Sequence, residues 1–458
     1  MSLHVSLVRL MAAVPLMLAV TACDISGIGD GNTLESTEVT RLTGVVDRTQ
    51  NKFYLCFVDQ LQLIGTFSDG QRGDYTARAR WTSSNPGVIR VSNGDIQLPS
   101  DPTLAYAAGT LLPASVGTST ITAEFVGLVA NYTVEVRSPT SFSISPTSLS
   151  VAPRTASAIT VRALIDGYDL DVTGAAQWSF ASPDEDVAII GAATGIVAGI
   201  GTGPAMTARA QFPLCENFAP AQNLSATVNV RPLTSLALTR EFSAAPNNEL
   251  IRGTTDAMRT VASFAGTTET QDVTGQVVYV SSEPTILLPG FSGVRNLATG
   301  LAVGAATVTA EYQEVLENPN TPETEATPEI ASNPVMFTVV EDTLDTLAVT
   351  PENTTITALD RQQFTAIGSY VSGRTQNINR HVTWLSADAE AIRIGNGASG
   401  AGLAQSLTAA ATESAVKISA TLVLGTGTSA VTKTDDALLC TATPGTTPGP
   451  CVLAPTTP

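Results

Sequence analysis

The sequence is short of positive charge. Its 458 residues carry 23 Lys and Arg against 41 Asp and Glu, a formal net charge of −18. Surfaces that hold nucleic acid or an anionic bilayer are built from Lys and Arg, so neither is expected as a partner. Histidine is scarcer still, with His4 and His381 the two in the chain. A His-based triad or zinc site has no spacing to draw on. Aromatic residues make up 5% of the chain. No apolar run reaches the roughly 18 residues that a membrane helix needs. What is plentiful is Thr, Ala, Val, Ser and Gly, a composition suited to many short strands between polar turns.

Against this background one pattern returns four times. Asp74-Tyr75-Thr76 precedes Trp81, and Asp171-Val172-Thr173 precedes Trp178. Asp272-Val273-Thr274 precedes Tyr279, and Asn377-Ile378-Asn379 precedes Trp384. The offset from first residue to aromatic is seven in every copy, and the aromatics are 97, 101 and 105 residues apart. Gly70, Gly167 and Gly373 each stand eleven residues before their Trp, and Gly266 thirteen before Tyr279. A chain of this length holds three or four domains at roughly 100 to 150 residues each, and the repeat selects four. The expected units are 39–137, 138–231, 232–341 and 342–440. Short joints at Arg137-Ser138-Pro139, Arg231-Pro232-Leu233 and Glu341-Asp342-Thr343 restrict swivelling. Residues 314–333 are acidic and Pro-rich, too polar to pack. Residues 441–458 read as a Pro/Thr/Gly tail.

Residues 1–22 read as a leader. One cation, Arg9, precedes an eleven-residue apolar run, Leu10 to Val20, which is too short to span a bilayer. The run ends in Val20-Thr21-Ala22-Cys23, which resembles the lipobox of bacterial lipoproteins. The resemblance implies that Cys23 becomes an acylated N-terminus carrying palmitate-type chains. An ordinary secretory leader cleaved near Ala22 is the other reading. Several acyl chains on one residue give stable anchoring, so the membrane is expected as a partner through lipid alone. Residues 23–38 then form a flexible tether.

The repeats themselves resemble a known family. Trp81-Thr82-Ser83-Ser84-Asn85-Pro86, then Val88-Ile89-Arg90-Val91-Ser92, then Gly117-Thr118-Ser119-Thr120-Ile121-Thr122-Ala123-Glu124-Phe125 look like the group 2 bacterial Ig-like domain of surface proteins. The second copy has Gly195 to Gly199 and Met206 to Ala210, and the third Gly304 to Tyr312. The third departs from the family by placing Tyr279 where Trp is usual. The fourth is weakest, with Asn377 for Asp and Ile418-Ser419-Ala420 for Ile-Thr-Ala. The resemblance covers about nine tenths of the chain and implies a β-sandwich per unit, hence an all-β elongated rod of four tandem sandwiches. Turn residues near every tenth position agree. In such a sandwich Trp81, Trp178, Tyr279 and Trp384 are core anchors between two sheets, and each Asp-x-Thr is a turn that aims the strand. Strands are expected over Gln60 to Phe67, Ala77 to Trp81, Thr120 to Phe125 and Tyr132 to Val136.

Other candidates for chemistry are few. His381 reads as a solvated strand residue. Gly395-Asn396-Gly397-Ala398-Ser399-Gly400 matches a dinucleotide fingerprint literally, but no βαβ unit surrounds it, so it reads as a loop. Asp166, Asp169 and Asp171 are weak calcium candidates without EF-hand spacing. No cofactor and no catalytic residue is expected, since paired carboxylates need a cleft that small sandwiches do not offer. Four cysteines besides Cys23 allow three pairings. Cys440 and Cys451 enclose ten loop-forming residues and are one candidate pair. The order of strands that the family resemblance implies puts Cys56 and Cys215 at the same joint, which makes them the second.

The expected function is a non-catalytic, lipid-anchored envelope protein whose rod spaces or displays a binding surface toward other surface proteins or polysaccharide. The outer membrane or cell surface is the expected location, with the leaflet open. The alternative is a carbohydrate-binding accessory module. That would need coplanar exposed rings, for which Tyr75, Tyr168 and a few Phe are available.

Overall fold

The structure is a computed structural model. It describes residues 33–42, 51–98, 101–215, 218–221, 223–241, 249–290, 293–312, 330–397, 400–407, 415–424, 431–442 and 451. Their regular structure is β-strand, apart from three-residue 3-10 turns such as Thr173–Ala175. The leader and Cys23 lie outside the described residues.

Each unit is a sandwich around its own core. In all four, one sheet has the same four strands in the same order. In the first these are Lys52–Tyr54, Leu128–Arg137, Gly117–Phe125 and Arg80–Ser83. The outermost pairing is parallel, and the others are antiparallel. Alternation dictates which face is buried. Along Gly117–Phe125, Ser119, Ile121 and Ala123 point inward and the intervening residues outward, the period of a half-buried strand. Trp81, Trp178 and Trp384 are 1%, 4% and 2% exposed, each in a separate cluster. Tyr279 is only half-buried at the edge of the third cluster. The four turn glycines Gly70, Gly167, Gly266 and Gly373 all have φ between 73° and 88°, a conformation that costs a side-chain-bearing residue energy.

The sandwiches come in two alternating kinds. The first and third oppose this sheet with one five-stranded sheet, whereas the second and fourth oppose it with two three-stranded ones. The first kind carries a buried ion pair where strand one leaves the sheet. Arg41 bonds Asp59, and Arg240 bonds Asp256. Each guanidinium also lies over a ring, 4.1 Å from the Phe53 centroid and 4.5 Å from that of Phe337. In the second kind Pro146 and Pro351 follow the first strand instead, ending it because Pro has no N–H to donate.

Several sequence expectations are corrected. The tether does not run to residue 38, because Leu34–Arg41 is a strand paired along its length with Asp59–Phe67. Main-chain bonds and the Arg41 ion pair hold it, which its polar composition hid. Ala77 to Ala79 is turn rather than strand, with the strand starting at Arg80. The acidic 314–333 segment ends in structure: Ile330–Ala331 pairs with Gly304–Tyr312, Ser332 is buried, and Asn333 bonds Leu238. Likewise Thr441 and Ala442 belong to the last strand, Val431–Ala442, rather than to a tail. Ala358, with Leu359 beside it, comes from the far end of the fourth domain and packs into the second domain's cluster.

Breaking the buried pair leaves a charge without compensation. Arg240→Met should destabilise the third domain by about 3–5 kcal/mol in chemical denaturation. The double change Arg240→Met with Asp256→Leu should recover most of that loss. A single variant within about 1 kcal/mol of the parent would contradict the role assigned to the pair.

Candidate functional site

The recurrent Asp-x-Thr-x-x-x-x-Trp is a closed hydrogen-bonded module. The Asp carboxylate accepts the Thr N–H two residues on, at 2.9 Å for Asp74, 3.0 Å for Asp171 and 3.0 Å for Asp272. Asn377 does the same for Asn379 at 3.0 Å. The Thr hydroxyl accepts a main-chain N–H of the facing strand, from Leu63, Val161 and Thr260, each at 2.9 Å. Asn379 uses its side-chain oxygen on Ala366. The carbonyl of the same residue accepts the ring's polar hydrogen. Trp81 Nε1 donates to Thr76 at 2.9 Å, Trp178 to Thr173 at 3.1 Å, and Trp384 to Asn379 at 3.1 Å. Tyr279 Oη reaches Thr274 at 3.0 Å, so the phenol meets the carbonyl an indole would have used. Burial alone would raise the Asp74, Asp171 and Asp272 carboxyls. The bonds from their threonines outweigh it and hold all three below the usual carboxylate value.

The calcium candidates do not converge. Asp166 sits among donors: Tyr54 Oη at 3.0 Å, Arg137 Nη1 at 3.1 Å and Lys52 Nζ at 3.5 Å. Asp169 bonds Arg162 at 2.8 Å, and Asp171 caps its turn. No group of three or more His, Cys, Asp or Glu among the described residues could hold a metal. In the Gly395 to Gly400 stretch Asn396 pairs with the main chain of Trp384, accepting at 2.6 Å and donating at 2.9 Å. It mimics a strand, and residues 398–399 lie outside the described set. Tyr168 is buried, and Tyr75 stacks on Phe125 at 4.6 Å, so neither ring stands free. His381 is not a solvated strand residue. It lies in a turn at the third joint, where its Nε2 accepts the Thr255 N–H at 3.0 Å.

The joints are where unlike parts of the sequence meet most closely. At the second joint Gln271, one residue before the module's Asp, reaches back to the preceding domain. Its oxygen accepts the Ala152 N–H at 2.9 Å, and its nitrogen donates to Thr155 Oγ1 at 2.8 Å. At the third joint Gln376 stands one residue before Asn377. Its oxygen accepts the Ile251 N–H at 3.0 Å, and its nitrogen donates to Thr254 Oγ1. The flanking contacts keep the same register with different chemistry. Three residues before Asp272, Glu269 accepts Ser150 Oγ, and three before Asn377, Arg374 grips Glu249. Four residues after, Gln276 bonds the Ala156 main chain where His381 bonds Thr255. Sequence reasoning missed both clamps, although Thr270-Gln271 and Thr375-Gln376 stand at one position of the repeat.

The first joint is built otherwise, since Leu170 occupies the Gln position and cannot hydrogen-bond. Cys56 and Cys215 are disulfide-bonded across it, with Cα atoms 4.9 Å apart. Phe57 packs on Phe142 and Phe212 at ring-centroid distances of 6.1 and 5.8 Å. The Tyr54 hydroxyl, raised first by burial and then by its bond to Asp166, stays protonated. At the far end Cys440 and Cys451 are also bonded, with Cα atoms 5.6 Å apart.

No family model matches the chain. It is similar to Ice-binding protein 1 of Shewanella frigidimarina, 25% identical over 332 residues, which is 72% of this chain and 32% of that protein. The chain thus spans about a third of the length of this curated relative. Among solved structures it is similar to domains 4–9 of surface layer protein SbsC, at 14% identity over 88% of this chain and 66% of that one, with a TM-score of 0.22. The N-terminal four Ig domains of Dscam1 isoform 1.9 match at 9% identity over 89% of this chain and 99% of that one, with a TM-score of 0.18.

Two outcomes test this geometry. Trp178→Ala should cost the second domain about 3–5 kcal/mol, read by domain-resolved hydrogen exchange, while the other cores change little. Gln271→Ala should widen the distribution of angles between the second and third domains, seen by residual dipolar couplings. Each lost hydrogen bond is worth about 1 kcal/mol, so neither domain should unfold. Unchanged couplings would remove the clamp from the account.

Proposed function

We propose that the protein is a non-catalytic, lipid-anchored spacer of the bacterial cell envelope, held by acylated Cys23 and presenting its later domains at a set reach and angle. The observation that supports this is the closure of every joint: a disulfide with packed rings at the first, and side-chain clamps in one register at the second and third. Domains in one chain move against one another by default, so locked joints fix the reach and angle that a spacer needs. The relative named for ice binding supports an extracellular or cell-surface setting, while ice binding stays a statement about that protein. A carbohydrate-binding role finds no support in Tyr75 or Tyr168, whose rings are taken up by packing.

Cell fractionation tests the anchor. Cys23→Ser should release the protein from the membrane fraction or leave it unprocessed. Normal processing with membrane retention would overturn the proposal. Digestion by protease added to intact cells should report surface exposure, and full protection would place the spacer on an inner face.

A further inference from the structure

The second and third joints share a register but differ at one chemically decisive position. Four residues after the module's first residue stands Gln276 in the third domain and His381 in the fourth. Each faces the main chain of the preceding domain at an equivalent residue, Ala156 or Thr255. Gln276 donates to the Ala156 carbonyl at 2.9 Å and accepts that residue's N–H. His381 offers the lone pair of Nε2 to the Thr255 N–H at 3.0 Å, with the Thr255 hydroxyl 3.1 Å away. An amide keeps its acceptor at every ordinary pH. An imidazole loses it on taking up a proton, because both ring nitrogens then donate.

We propose that the third joint is a pH-sensitive hinge, in which a proton on His381 Nε2 sets donor against donor at the Thr255 N–H, leaves the Thr255 hydroxyl as the acceptor that remains to it, and loosens that side of the clamp. The surroundings favour the neutral ring in the closed joint. Burial, and then the adjacent Arg380 guanidinium, hold its pKa below the ordinary 6.5. The preceding domain adds the Arg252–Glu341 ion pair, which lines the same open cleft of about 400 Å³, through which a proton can arrive. Asp256 follows Thr255 but is engaged by Arg240, and Glu241 lies near Arg380. On the other flank Arg374 grips Glu249 and Asp342. The Arg374 hydrogen bond lowers Glu249. Burial would raise Asp342, but bonds from Ser372, Thr343 and Arg374 prevail and lower it too. Both carboxyls are therefore held below their ordinary values and stay charged as the pH falls toward about 5.5.

The sign follows from the closed joint binding the proton less well than the open one. Closure is at full strength above about pH 6.5, the open-state value, and weakens as pH falls below it. The loss approaches tenfold in the closing equilibrium per pH unit until the closed-state value is reached. The second joint, with Gln276, has no such dependence.

Amide exchange in the full-length protein tests this, with rates corrected for intrinsic chemistry, between about pH 7.5 and 5.5. The protection of the Thr255 amide should fall toward the acid end, by up to about tenfold. The Ala156 amide should stay level. His381→Gln, which installs the residue the second joint already uses, should make Thr255 as insensitive as Ala156. A level Thr255 in the parent, an equal fall in His381→Gln, or a parallel fall at Ala156 would each overturn the hinge. The parent alone supplies a second measurement should the variant misfold. The ring resonance of His381, one of two histidines in the chain, should titrate below the ordinary histidine value. A midpoint at or above that value would equally overturn the proposal.

Discussion

An indole cannot be buried unless its N–H finds an acceptor, and in this protein a single carbonyl supplies it. The Thr76, Thr173 and Asn379 carbonyls must each point into the sandwich at the height of the ring. That fixes the turn before the strand, which fixes the need for an Asx residue to hold the turn from behind. The Thr hydroxyl ties the turn to the facing strand. Removing any one member leaves a buried polar group without a partner, at a cost of about 1–3 kcal/mol. Tyr279 shows how far the module tolerates change. The phenol satisfies the same carbonyl, but the ring sits half-exposed.

The same turn also faces the neighbouring domain. Gln271 and Gln376 precede the module's first residue, so any rotation of the turn would carry the clamp away from Ala152 or Ile251. Core packing and joint geometry are thus set by one short segment. The Glu269–Ser150 and Arg374–Glu249 contacts show that a register can persist while its chemistry is exchanged. The first joint has a disulfide and three phenylalanines in place of the Gln clamp, in keeping with Leu170 at the clamp position, beside the bonds from Tyr54 and Arg137 to Asp166.

Much of the fold was legible because it is written four times. A fixed offset from Asp or Asn to an aromatic marks a turn and a core strand, and alternation along Thr120 to Phe125 marks the strand behind it. The strand Leu34–Arg41 was not legible, because its stability comes from main-chain pairing and a buried Arg41–Asp59 bond rather than from apolar residues. His381 looked solvated because polar residues on a strand face usually are, and nothing local shows that another domain covers it. The Gln clamps were hidden for the same reason. Their partners lie about 120 residues away, which follows from one domain length but from no local pattern. Asp166 was singled out as an acidic residue in a turn. Its role depends on Tyr54, Lys52 and Arg137, which reach it only across the first joint.

The parallel pairing at the edge of each domain bears on how the chain responds to force. Lys52–Tyr54 lies beside the end of Leu128–Arg137, Glu249–Ile251 beside Val335–Val340, and Asn353–Thr357 beside Val431–Ala442. In every case an early strand is bonded to the strand by which the chain leaves. Tension between the two ends of a domain drags these neighbours past each other lengthwise. Their hydrogen bonds are then loaded together, in shear, and cannot be opened singly like a zipper. A chain held at one end and pulled at the other would therefore resist at the same seam in each of its sandwiches.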